Sequence, residues 1–69
     1  MKKAKSKSFG ARLRTVREQK GMSVYRLALN AEVSRQHIHQ LQFGRAKPSL
    51  KMALRLAQAL GVGIDELAG

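Results

Sequence analysis

The chain has 69 residues, enough for one small domain, and a domain of that size buries only roughly 60% of the surface its unfolded chain exposes. It holds no cysteine, which excludes disulfide staples and cysteine-based zinc sites and fits a reducing compartment. Lys and Arg number 14 against 4 Asp and Glu, a formal charge of +10, and such an imbalance points to a polyanionic partner: DNA, RNA or an anionic membrane surface.

No apolar run approaches the roughly 20 residues that span a bilayer. The first lysines are not followed by the apolar stretch of a secretory signal. The expected location is therefore the cytoplasm or the nucleoid.

In chain order, "MKKAKSKS" alternates Lys with small residues and offers nothing to pack, so residues 1–8 are expected to be a flexible basic arm. Such an arm either keeps the protein soluble or adds phosphate or minor-groove contacts. Residues 9–69 are expected to form the folded domain. Phe9, Leu13 and Val16 are spaced four and three apart, which predicts a first helix over 9–20, with Ser8 as its N-cap and Gly21 as its stop.

Ser23 is placed to cap a second helix that reaches about Asn30, with Leu27, Ala28 and Ala31 facing inward. After a break near Ala31 to Val33, Ser34 caps a third helix from Arg35 to about Phe43, stopped by Gly44. "RAKPS" reads as a loop, because Pro48 disfavours helix at Lys47. Ser49 caps a fourth helix, Leu50 to Leu60, which carries Leu50, Ala53, Leu54, Leu56, Ala57 and Leu60 and ends at Gly61. A final turn over 64–67 adds Ile64 and Leu67. The expected class is all-α, with five short helices and no strand.

The third helix is the most informative. Advancing by about 100° per residue puts Ile38 and Leu41 on one narrow inward stripe. Gln36, His39, Gln40 and Phe43 then share the opposite face, and Arg35 at the helix start can swing outward. An ordinary solvated face is rich in Glu, Lys and Asp; this one carries Gln, His and Arg and no acid. Arg can bond guanine twice, and Gln can pair bidentately with adenine. The face thus has the donors and acceptors that read base edges.

"FGARLR...REQKGMS", "LALNAEVS", "QLQFGRAKPSL" and "LRLAQALGVGIDEL", in this order and spacing, resemble the lambda-repressor/Cro-like helix-turn-helix domain, also called the XRE family. The similarity runs from Phe9 to Leu67. It implies a compact five-helix domain whose second helix crosses the DNA backbone and whose third enters the major groove. By position it assigns base reading to Arg35, Gln36 and Gln40, with His39 as a fourth. Phosphate contacts fall to Ser23 and Ser34 at helix starts, and to Arg45 and Lys47 in the loop after the third helix.

Three positions depart from the family pattern. Val24 and Tyr25 stand where relatives often have Gln and Glu, which removes a common phosphate contact that the Tyr25 hydroxyl is placed to replace. Glu32 stands where the turn often has Gly, which implies strain if the backbone there is left-handed. Gln42 stands where relatives have a Glu that pairs with an Arg of the first helix, here Arg17.

Other classes are weaker fits. His37 and His39 point away from each other on a helix, and no cysteine or inward carboxylate cluster assists them, so neither a metal site nor an enzyme is expected, and no cofactor. Asp65 and Glu66 suit the dipole of the last helix start. The short, separately capped helices describe a folded bundle and not a membrane-surface peptide.

The expected function is that of a transcriptional regulator, by type a repressor, that binds a palindromic double-stranded operator as a homodimer at least on DNA. Val62, Ile64 and Leu67 are the candidate dimer contacts. The alternative is an antitoxin-type protein that also binds a protein partner, for which the outward Leu29 is a hint. Phe43 has three open roles: thymine contact, protein interface, or packing on its own domain.

Overall fold

A computed structural model describes residues 8–68. Among them run five helices: α1 (Phe9–Gln19), α2 (Val24–Ala31), α3 (Arg35–Gln42), α4 (Leu50–Leu60) and α5 (Asp65–Ala68). Of the expected basic arm only Ser8 is described; residues 1–7 lie outside. Ser8 belongs to the domain, because its hydroxyl caps α1.

Each of the four long helices starts in the same way. The hydroxyls of Ser8, Ser23, Ser34 and Ser49 accept from the backbone N–H three residues on, at 3.0–3.2 Å. Each bond satisfies one of the donors that a helix start leaves without an intrahelical partner.

The helix ends are equally uniform. After α3, Gly44 takes φ 73°, and Arg45 N–H reaches back to Gln40 O at 2.8 Å. The same left-handed closure follows α1 at Gly21 and α4 at Gly61. After α2 the residue is not glycine: Glu32 itself sits at φ 60°, ψ 45°, with Val33 N–H bonded to Ala28 O at 3.0 Å. The strain implied for that turn is therefore present.

The core comprises Leu13, Val16, Leu27, Ala28, Ala31, Ile38, Leu41, Leu56, Ala57, Leu60 and Leu67. Every helix contributes to it. α1 packs on α3 and α5, while α2 packs on α3 and α4. α3 is thus wedged between the first two helices, which in turn rest on the last two.

Gly10 makes the α1–α3 contact close. A β-carbon built there would stand 2.8 Å from Gln42 O and closer still to Leu41 O. Only glycine lets the start of α1 approach the last turn of α3 in this way.

One sequence expectation is overturned. Leu67 was a candidate dimer contact, yet its side chain has no exposure. In a four-residue helix it is the sole anchor, and it is spent on the core. Val62 and Ile64 are half-buried and also pack against that core. Leu50 and Leu54, four apart on α4, stay exposed, Leu50 at 72%.

Candidate nucleic-acid interface

α3 is eight residues long, about 12 Å at 1.5 Å per residue. Ile38 and Leu41 fix it to the core, as their spacing predicts. Arg35, Gln36, His39 and Gln40 are all exposed, and His37 lies half-buried on the flank. The four residues expected to read bases therefore share a solvent-facing surface with no carboxylate on their helix.

One side chain, Arg17, joins this helix to α1 and to the loop that follows it. Arg17 Nε donates to Gln42 Oε1 at 3.0 Å, and Arg17 Nη1 donates to Met22 O at 2.9 Å. One half-buried guanidinium thus ties the end of α1, the following loop and the last turn of α3 together. The pairing implied for Arg17 is present, with a neutral acceptor in place of a carboxylate.

The expected phosphate-binding residues lie at the start of α2, at the N-cap of α3 and in the loop after α3. Ser23, Tyr25, Ser34, Arg45 and Lys47 are all exposed. The Ser23 and Ser34 hydroxyls accept from Arg26 N–H and His37 N–H, and each keeps its own O–H proton free to donate outward. Neither α2 nor α3 has an acid in its first turn, so the positive ends of both helix dipoles are not offset from within.

Aromatic contacts that the sequence did not foretell organise the rim. The Arg35 guanidinium carbon lies 5.7 Å from the Tyr25 ring centroid, joining α2 to the start of α3. His39 and Phe43 are stacked, with centroids 6.2 Å apart and planes inclined by 11°. Arg45 lies over Phe43, its guanidinium carbon 6.0 Å from the centroid. Phe43 is 63% exposed, which rules out packing into its own core. An open cleft of about 420 Å³ between α2 and α4 is lined by Asn30, Glu32, Arg55 and Gln58, and the long 3.7 Å Arg55–Glu32 pair crosses it.

Among the described residues no group of three or more His, Asp or Glu is placed to hold a metal ion. No described helix is long and apolar enough to cross a membrane.

Comparison with known proteins places this arrangement. A helix-turn-helix family model matches residues 13–67. The SPbeta prophage-derived HTH-type transcriptional regulator YonR of Bacillus subtilis is 39% identical over 59 residues, covering 86% of this chain and 55% of that protein. The chain therefore spans little more than half the length of that relative. The restriction-modification controller protein C.AhdI of Aeromonas hydrophila has a similar structure, with a TM-score of 0.83 at 37% identity over 86% of this chain and 89% of that one. The P22 c2 repressor in complex with a synthetic operator superposes with a TM-score of 0.82 at 25% identity, covering 91% of this chain and 96% of that one. With its family match over most of its length and its five-helix fold, the chain belongs to the lambda-repressor-like, or XRE, family of helix-turn-helix transcriptional regulators.

Proposed function

We propose that this protein is a sequence-specific repressor that docks α3 in the major groove of a palindromic operator. The observation that carries the reading is the outward face of α3: Gln36, His39 and Gln40 exposed together beside Arg35, with no acid on the helix. Arg35, Gln36 and Gln40, with His39 beside them, discriminate between bases. Ser23, Tyr25, Ser34, Arg45 and Lys47 hold phosphates and set the docking register. The net charge of +10 supplies attraction to any duplex.

One domain covers one half-site, so a two-fold operator is read by two copies about one helical turn apart. With Leu67 buried, the apolar surface left for the second copy is Leu50 and Leu54 together with the half-exposed Val62 and Ile64. Pairing is expected on DNA, where the operator holds both copies close.

Selection from a pool of random duplexes at near-physiological salt tests the reading. Enrichment of a palindrome is the expected outcome. Retention without enrichment, lost steeply as salt rises, would leave only non-specific attraction to phosphates and overturn the base-reading role of α3.

A further inference from the structure

Phe43 is a large apolar side chain in a place where neither the core nor charge attraction uses it. It caps α3 and is mostly exposed. Counted along the helix, Gln36, Gln40 and Phe43 fall at i, i+4 and i+7, so the ring extends the stripe that carries the two glutamines.

An exposed ring held by nothing samples several rotamers. This one is braced from two directions. His39, one turn earlier, stacks against it at 6.2 Å, and the Arg45 guanidinium lies 6.0 Å from its centroid on the loop side. Offset stacking and cation–π contact at these distances are both favourable. The ring is thereby ordered before any partner arrives, and ordering it on binding costs little.

The chemistry of a major groove then narrows what the ring can meet. Phosphate oxygens and the donor and acceptor edges of bases give a phenyl ring no match. The 5-methyl group of thymine does, since it is the apolar feature that the groove displays. We infer that Phe43 is a specificity-determining residue whose ring packs on a thymine 5-methyl group, at the part of the half-site beneath the C-terminal end of α3. His39 and Arg45 are its positioning residues. The inference rests on α3 being the major-groove helix.

The test uses the palindromic duplex recovered from the random pool, with each thymine replaced singly by deoxyuridine, against the full chain and its Phe43→Ala and Phe43→Leu variants. Loss of one methyl contact predicts a roughly three- to tenfold weakening at one thymine per half-site. Phe43→Ala is expected to weaken the intact duplex by a similar factor, to become insensitive to deoxyuridine at that position, and to keep its salt slope. Phe43→Leu is expected to retain part of the preference. Because the side chain is exposed, thermal melting of both variants should match that of the parent protein.

A flat deoxyuridine scan overturns the inference. So does a Phe43→Ala loss that is equal on thymine and deoxyuridine at every position, which would mark a sugar contact. Unchanged binding by Phe43→Ala overturns it too and leaves the ring to a protein partner. Gln40→Ala on the same duplexes separates the two levels. If it relaxes preference while Phe43→Ala does not, only the role of Phe43 falls. If the parent chain selects no sequence, both readings fall together.

Discussion

Arg17 and Gln42, 25 positions apart, meet across the α1–α3 contact, with the guanidinium Nε donating to the amide Oε1 at 3.0 Å. This bond ties the last turn of α3 to the end of α1. Gln42→Ala leaves a half-buried donor without its acceptor and is expected to cost about 1–2 kcal/mol. Gln42→Glu offers a charged acceptor in the same place and is expected to stabilise by about 0.5–1 kcal/mol. Urea denaturation reads both as opposite shifts in midpoint at unchanged slope. An unmoved midpoint for Gln42→Ala would show that the bond contributes nothing.

Glu32 holds a left-handed backbone that costs a non-glycine residue about 1–2 kcal/mol. Its only described ion pair, with Arg55 at 3.7 Å, is long and exposed and returns little. Replacement by Gly relieves the strain but adds freedom to the unfolded chain, so Glu32→Gly is expected to gain up to about 1 kcal/mol net. Glu32→Ala keeps the strain and is the control. Equal melting temperatures for the Gly and Ala variants would contradict a strained turn.

At Gly10 the expected effect has the opposite sign. The added methyl of Gly10→Ala meets backbone carbonyls of α3, which cannot rotate away as a side chain would. Alanine's better helix propensity, worth about 1 kcal/mol, is outweighed, and a net loss of about 2 kcal/mol or more is expected. Calorimetry on the purified variant checks it; a rise in melting temperature would mean that α1 and α3 are not this close in solution.

Specificity and affinity are expected to separate at Gln40 and Lys47. Gln40→Ala should relax the preference at one base pair by about 1–3 kcal/mol and leave random DNA unaffected. Lys47→Ala should weaken all sequences alike and flatten the salt dependence by about one unit. Equal weakening of operator and random DNA by Gln40→Ala would remove it from the reading set.

Much of this architecture is legible in the sequence because its signals are local. A serine before each apolar periodic run and a glycine after three of the runs mark helix ends within one residue of those observed. The inward stripe of Ile38 and Leu41 follows from the helical period alone. What the sequence hides depends on which elements meet. Gly10 looks like an unremarkable helix residue until α3 lies against it. Leu67 looks like a spare apolar side chain on a short last turn, yet α5 packs on α1 and consumes it. Phe43 has three open roles on paper; its exposure keeps it out of the core, and its contacts with His39 and Arg45 appear only in the folded chain. The Tyr25–Arg35 contact likewise crosses from one helix to the next, beyond the reach of any periodic pattern.

The burial of Leu67 also bears on how the protein comes into being. α1 is made before α5, and the two pack together, so that part of the seam around α1 exists only once Leu67 has left the ribosome. α3 leans on α1. During synthesis α1, on which α3 leans, lacks its α5 contact until Leu67 is in place. A nascent chain halted before residue 67 should therefore carry its charge while holding α1, and through it α3, less firmly.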